Sequence, residues 1–138
     1  MNRRFPKAEH LCSRRLIERL YAEGQRLRVF PYNVQWLEVP AQEVPCQVLI
    51  VVPKRRLHHA VDRNRVKRLT RECYRLHKEP LLKLLQDQER CIALSLVYLH
   101  NEVMTYEQLY HKFDKLMAAL EKELSHEEDI PRTETTLE

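Results

Sequence analysis

The chain has 138 residues, of which 43% are hydrophobic and 32% charged, which suits one domain with a packed core and a densely ionic surface. This composition excludes two large domains and bulk disorder. Residues 1–78 carry 18 Lys and Arg against 7 Asp and Glu, whereas residues 79–138 carry 6 against 13. The first part, at +11, indicates a polyanionic partner such as nucleic acid or an anionic membrane surface.

Two further features concern the cellular compartment. The longest apolar stretch, residues 91–99, is far shorter than the roughly 20 residues that span a bilayer, and no apolar signal region opens the sequence. The cysteines are widely spaced and form no CxxC pair; they are Cys12, Cys46, Cys73 and Cys91. We therefore expect a soluble cytoplasmic protein with reduced, structural thiols.

The first part of the chain predicts a helix followed by strands. Residues 13–23 place apolar side chains on one helical face, and Gly24, the only glycine, ends this helix. Residues 25–39 alternate with period two, which predicts one or two strands. The aliphatic run at 46–52 is typical of an interior strand covered on both faces, and we expect the sheet to centre on it.

The second part predicts a helix, a strand and a final helix. Residues 62–78 form the first of these, with Asp62 as its N-cap and Pro80 beyond its end, and residues 81–86 add a short helical turn. Residues 91–99 read as a strand. Thr105 and Gln108 predict a capping box that opens the last helix. One face of this helix is apolar; its residues are Leu109, Phe113, Leu116, Met117, Leu120 and Leu124.

The order of these elements predicts an α+β fold, a single-domain α/β sandwich with the order helix, strands, helix, strand, helix. The domain covers residues 1–124. Residues 125–138 are polar and acidic, and we expect them to form a disordered tail.

Residues 54–78 hold ten Lys and Arg but only two acids. In helical geometry Asn64, Arg68, Arg71 and Arg75 share a narrow arc flanked by Lys67 and Lys78, while the opposite side carries Val66, Leu69, Cys73 and Leu76. A solvated helix surface normally mixes both charge signs, but this one has almost no acids to pair with. We therefore interpret it as a surface that binds nucleic-acid phosphates, for which the planar fork of arginine is well suited.

The string Ala60-x-x-Arg63-Asn64-Arg65-x-Lys67-Arg68-x-x-Arg71-Glu72 resembles the RNR signature of the bacterial ribonuclease P protein subunit. The preceding Val52-Pro-Lys54-Arg55 is similar to the end of a strand in that family, and the resemblance covers roughly residues 3–124. It implies a left-handed βαβ crossover. It also implies an RNA-binding role in a holoenzyme whose catalytic RNA subunit removes the 5′ leader of precursor tRNA by endonucleolytic hydrolysis.

The resemblance also implies residue roles and partners. The protein alone should not cleave and has no catalytic or metal-binding residue, while the holoenzyme uses Mg²⁺ bound mainly by RNA. The partners are ribonuclease P RNA and precursor tRNA, with no membrane and no required protein partner. Residues expected to contact the RNA subunit are Arg63, Asn64, Arg65, Lys67, Arg68, Arg71, Arg75, Lys54 and Arg55.

In this family a cleft between the first helix and the sheet holds the single-stranded leader. Single strands are commonly held by aromatic faces beside a basic groove, and the aromatic residues placed in the first helix and strand are Tyr21, Tyr32 and Trp36. Each could equally belong to the core. Two other classes stay open: another nucleic-acid-binding module, such as a ribosome-associated or helix-turn-helix protein, and a stand-alone metal-dependent nuclease.

Overall fold

The computed structural model describes the backbone of residues 5–129 and the side chains of residues 5–125. Within this part, a short 3₁₀ helix at Lys7–Glu9 precedes three α-helices and four strands. In chain order these are α1 (Arg14–Glu23), β1 (Gln25–Val29), β2 (Tyr32–Val39), β3 (Cys46–Val51), α2 (Ala60–Asp87), β4 (Cys91–Tyr98) and α3 (Tyr106–Asp129).

The four strands form one mixed sheet in the order β1-β2-β4-β3. The hairpin of β1 and β2 is antiparallel, and β2 is antiparallel to β4, whereas β4 runs parallel to β3. Since α2 links the two parallel strands, the segment β3-α2-β4 is a crossover connection. The single α+β domain and its order of elements are confirmed, and the left-handed direction of the crossover stays a prediction.

Both faces of the sheet are covered, but unequally. The larger core lies between the sheet and the helices α2 and α3, and alternate residues of β2 and β4 point into it; these are Tyr32, Val34, Trp36, Ile92, Leu94, Leu96 and Tyr98. A smaller cluster lies under α1 and contains Leu11, Leu20, Val39 and Ala93. We call the side of the sheet that α1 partly covers the α1 face.

Helices α1 and α3 begin with hydrogen-bonded caps. Ser13 precedes α1, and its hydroxyl accepts from the Leu16 N–H at 3.3 Å. The Gln108 side chain accepts from the Thr105 N–H at 3.0 Å, while the Thr105 hydroxyl accepts from the Gln108 N–H at 3.2 Å, which confirms the capping box. All six predicted apolar positions of α3 are buried, so its apolar face is confirmed as well.

Helix α2 differs most from the prediction, because it runs for 28 residues and contains Pro80. The helix begins at Ala60 after His59, so Asp62 lies in the first turn rather than at the N-cap. Proline in a helix interior costs about 3 kcal/mol. Leu81 and Leu85 beyond it are fully buried, and burying each leucine contributes about 1.5–3 kcal/mol, which offsets that cost.

The end of α2 is a Schellman motif without glycine. The Arg90 N–H donates to the Leu85 carbonyl at 2.9 Å, and the Glu89 N–H donates to the Gln86 carbonyl at 3.1 Å. Glu89 has a φ of 55°, the left-handed conformation that glycine usually supplies at this position. Because no glycine follows the helix, the sequence lacked the usual signal for its end.

The prediction that β3 is the interior strand of the sheet is wrong. Strand β3 lies at one edge, and β2 and β4 are the central pair. Its aliphatic sequence reflects cover on its two faces, with Val48 in the larger core and Leu49 packed against the smaller cluster. The N-terminal segment protects part of its open edge, where the Leu11 N–H donates to the Val48 carbonyl at 2.9 Å.

The backbone of α3 continues as a helix to Asp129, five residues beyond the predicted domain boundary. Residues 130–138, the greater part of the predicted acidic tail, lie outside the described residues. The tail therefore stays a prediction.

Candidate nucleic-acid interface

A tight turn after β3 presents two of the predicted basic residues. The Pro53 carbonyl accepts from the Arg56 N–H at 3.0 Å and from the Leu57 N–H at 3.3 Å. Leu57 is buried and anchors the turn to the core, while Lys54 and Arg55 at its tip are exposed. The turn thus places both positive charges in solvent at the carboxyl end of β3.

Arg63 holds the loop that leads into α2. One terminal nitrogen of its guanidinium, Nη1, donates to the Leu57 carbonyl at 2.9 Å and to the His58 carbonyl at 2.8 Å. The side chain is half-buried, so its first role is to fix the loop beneath the exposed basic residues. The other nitrogens of the Arg63 guanidinium can still donate outward. The contacts with the two loop carbonyls were not predicted from the sequence.

The basic residues that share one arc of α2, which we call the basic stripe, lie on the side of the helix that the spacing predicted. The opposite face, which includes Val66, Thr70, Cys73 and Tyr74, is buried in the core. Asn64, Arg65, Arg68 and Arg71 are exposed, and Lys67 is half-buried. We call the outward-facing set the basic surface; it consists of Lys54, Arg55, Asn64, Arg65, Lys67, Arg68 and Arg71.

The cations of the basic surface lack internal counter-charges. Among the described residues, none of its Lys or Arg side chains forms an ion pair; the residues concerned are Lys54, Arg55, Arg65, Lys67, Arg68 and Arg71. Mutual repulsion of neighbouring like charges is relieved when phosphates lie between them. The arrangement therefore favours a polyanion as the partner.

Two predicted members of the stripe behave differently. Arg75 binds the Glu72 carboxylate with two contacts, at 3.1 Å and 2.6 Å, and its guanidinium holds the pKa of that carboxyl below the ordinary value. This pair places one negative charge beside the last predicted RNA contact. Lys78 does not flank the stripe at all: it is buried, and its ammonium lies 2.8 Å from the Glu9 carboxylate.

The three predicted cleft aromatics do not come together, and the predictions for Tyr32 and Trp36 are wrong. Both side chains are in the larger core, on the opposite side of the sheet from α1. Tyr32 is fully buried, with its hydroxyl 2.6 Å from that of Thr70, and burial raises its pKa well above the ordinary value. Trp36 is 3% exposed and belongs to the same core. The alternation of residues in β2 puts both side chains on the same face of the sheet, but it does not show which face α1 covers.

Tyr21 alone lies on the α1 face. Its hydroxyl is 3.0 Å from the Ser95 hydroxyl, and the side chain remains 37% exposed. Strand register aligns residues of all four strands in two rows across this face, and the polar members lie on β1, β2 and, in one row, β4. One row is Arg28, Asn33, Val97 and Val51, and the next is Arg26, Gln35, Ser95 and Leu49.

These rows are functional candidates that sequence reasoning missed. Arg26 and Arg28 are exposed on the edge strand, and Asn33 beside them is half-buried. Gln35 is only 4% exposed, yet its amide nitrogen has no hydrogen-bond partner within the part of the chain that the structure describes. Buried polar groups are nearly always satisfied, so this enclosed amide is a local exception, and it is not within reach of a ligand in this structure. The sequence signal for these candidates was the alternation of polar residues with apolar ones in β2.

In residues 5–129, no helix is long and apolar enough to cross a membrane. Among the side chains of residues 5–125, no group of three or more His, Cys, Asp or Glu could hold a metal ion.

Comparisons with known proteins place the chain among its relatives. The family model described as Ribonuclease P matches residues 5–121. A ribonuclease P protein component from Porphyromonas gingivalis is 32% identical over 110 residues, which cover 79% of this chain and 80% of the relative. The component from Chlorobaculum tepidum is 37% identical over 85 residues, covering 59% of this chain and 55% of the relative.

Solved structures share the fold. The RNase P protein of Staphylococcus aureus matches with a TM-score of 0.66 at 21% identity, over 83% of this chain and 96% of that one. The RNase P protein of Thermotoga maritima matches with a TM-score of 0.61 at 20% identity, over 79% and 94%. With a family match over most of its length and a relative 32% identical over four fifths of both chains, this chain belongs to the ribonuclease P protein family.

Proposed function

We propose that the chain is the RNA-binding subunit of ribonuclease P, and that it binds both the catalytic RNA and the 5′ leader of precursor tRNA. Family membership gives it a role in tRNA processing together with an RNA subunit. One observation carries the proposal. Helix α2 packs one side in the core and presents on the other the basic surface, whose cations have no ion-pair partner among the described residues. Hydrolysis itself belongs to the RNA in this proposal.

The basic surface would bind the RNA subunit through its phosphates. Arginine forks bind phosphate oxygens through two parallel hydrogen bonds, and each neutralised phosphate releases counterions, which makes binding salt-dependent. Arg68 and Arg71 lie one turn apart on the rigid helix α2, and Lys54 and Arg55 extend the same charge from the turn after β3. This rigidity lowers the ordering cost of binding.

The α1 face would hold the single-stranded leader. Exposed Arg26 and Arg28 at one edge can contact leader phosphates, while the half-buried Asn33 can donate to sugar or base oxygens. Tyr21 supplies an aromatic side chain at the margin of the two rows. Binding the leader here would add affinity for precursor over mature tRNA.

Magnesium would be bound by RNA phosphates, whose oxygens are its preferred ligands. The described residues do not offer a dedicated protein site for it, because no three suitable side chains come together. The reaction would take place in the cytoplasm, where the four free cysteine thiols would stay reduced.

Reconstitution tests the proposal directly. A bacterial ribonuclease P RNA is incubated at low magnesium with labelled precursor tRNA, with and without the protein. We expect cleavage at the mature 5′ end only when RNA and protein are both present. Cleavage by the protein alone would instead support a stand-alone nuclease, and tight RNA binding without stimulation would support another RNA-binding module.

The leader site has its own test. Arg28→Ala and Asn33→Ala should reduce the preference of the holoenzyme for precursor over mature tRNA, while assembly with the RNA subunit is kept. Trp36→Phe, a change in the larger core, is the control and should leave this preference unchanged. Equal affinity losses for both tRNAs would contradict leader binding on the α1 face.

A further inference from the structure

An exposed aromatic ring marks the turn between β1 and β2. Phe30 is 52% exposed, more than any other aromatic residue among the described exposed hydrophobics. It lies in a two-residue turn, where Val29 and Tyr32 form the last pair of the hairpin. Leaving such a large apolar surface in water is unfavourable unless something covers it.

Cationic or ionisable side chains surround this ring. The His100 ring meets Phe30 edge to face at a centroid distance of 5.1 Å. The Lys112 ammonium lies over the ring, 5.7 Å from its centroid. The exposed Glu102 carboxylate is 3.7 Å from His100 Nε2, a distance at which a surface ion pair contributes little. The site therefore combines a half-exposed aromatic ring with positive charge.

The sheet places Phe30 beside the basic surface. Register pairs Tyr32 with Tyr98 and Val51 with Val97, so the β1–β2 turn, the end of β4 and the turn after β3 lie at the same end of the sheet. Two strand spacings, about 10 Å, separate the outer two of these. The Arg56 guanidinium, 3.5 Å from the Asn101 side-chain oxygen, bridges the gap next to His100.

We infer that Phe30 is a stacking site for an unpaired nucleobase of the RNA subunit, with Lys112 and His100 beside the flanking phosphates. The inference rests on the proposed function and extends it to a position outside the basic surface. An aromatic face next to a cationic groove is the arrangement by which proteins hold unpaired bases, and positive charge without an apolar rim favours RNA over a protein partner. Its continuity with the basic surface assigns the base to the RNA subunit.

Three substitutions at one exposed position test the inference. The dissociation constant of the full-length protein for a bacterial ribonuclease P RNA transcript is measured over a range of salt concentrations. Phe30→Ala should weaken binding roughly 5- to 150-fold, the range expected for one stacked base, without changing the salt slope. Phe30→Leu should lose nearly as much because it lacks a π-face, and Phe30→Trp should bind as tightly as the parent protein.

Two controls complete the design. Tyr106→Ala removes another exposed aromatic, 36% exposed and next to Glu107, and should leave RNA affinity unchanged. The affinity of each reconstituted holoenzyme for precursor tRNA should also stay unchanged. Circular dichroism and thermal melts confirm that each variant is folded.

Several results would overturn the inference. Full retention of RNA affinity by Phe30→Ala, or by Phe30→Leu, would show that no base stacks there. A loss confined to precursor tRNA affinity would move the contact to the substrate. If the basic-surface variants weaken binding but the Phe30 variants do not, the inference alone fails; if the parent protein does not bind the RNA, the proposed function fails with it.

Discussion

Replacing Arg68 and Arg71 by alanine tests the basic surface most sharply. Both side chains are exposed on the first half of α2, and neither forms an ion pair among the described residues. Their loss should therefore leave the fold intact. If each guanidinium binds one RNA phosphate, the double variant should release two fewer sets of counterions on binding.

The size of the effect follows from the number of cations. The basic surface has six, and a slope of about 0.7 to 0.9 per phosphate contact predicts a dependence of log affinity on log salt of about −4 to −5. Between 50 and 200 mM salt the parent protein should then lose roughly 300- to 2,000-fold in affinity. With four contacts left, the double variant should lose only about 50- to 150-fold over the same interval.

The measurement is a salt titration of the dissociation constant for ribonuclease P RNA, by filter binding or fluorescence anisotropy. The matched control is Lys115→Ala with Lys122→Ala, which removes the same net charge from the exposed side of α3. We expect this control to keep the slope of the parent protein. A slope unchanged in the α2 double variant, or lowered equally in both variants, would refute the assignment of the basic surface.

Three further predictions concern stability and reactivity. Burial raises the pKa of the Cys73 thiol to about 12, so iodoacetamide at pH 8 should modify exposed Cys12 and spare Cys73; alkylation of both in the folded protein, seen by mass spectrometry, would contradict this. Glu89→Gly should stabilise the protein by about 0.5–1 kcal/mol, because glycine relieves the φ of 55°, and an unchanged or lower midpoint of urea unfolding would count against it. Lys78→Met should cost about 3–5 kcal/mol by leaving the Glu9 carboxylate buried without its partner, and adding Glu9→Leu should recover most of this loss; a double variant as unstable as the single one would disprove the coupling.

Sequence periodicity predicted the local features well because they depend on neighbouring residues. The capping box of α3 and the basic stripe of α2 involve spacings of three and four residues, which one helical turn determines. The predicted end of α2 was wrong because it depends on contacts between residues that are distant in sequence. Pro80 is a local stop signal, and the burial of Leu81 and Leu85 that overrides it is a tertiary effect.

Strand β3 shows a second limit of sequence patterns. An aliphatic run reports that both faces of a strand are covered, and that part of the prediction holds for β3. Whether a strand lies inside a sheet or at its edge depends on backbone hydrogen bonds, which the side-chain pattern does not record. The open edge of β3 is partly protected by the Leu11 N–H and by the Gln47 side chain, which donates to the Ala8 carbonyl at 3.0 Å.

The proposed leader site could not be predicted, because the two faces of the sheet are equivalent in the strand pattern. Alternation in β2 separates Tyr32 from Asn33 and Gln35, but two helices cover one face and one short helix covers the other, and only the fold decides which. Large aromatics belong where cover is complete, so the face with Tyr32 became the core. The face that stays partly open keeps exposed Arg26 and Arg28 and half-buried Asn33, and a single strand of RNA needs such accessible donors rather than buried rings.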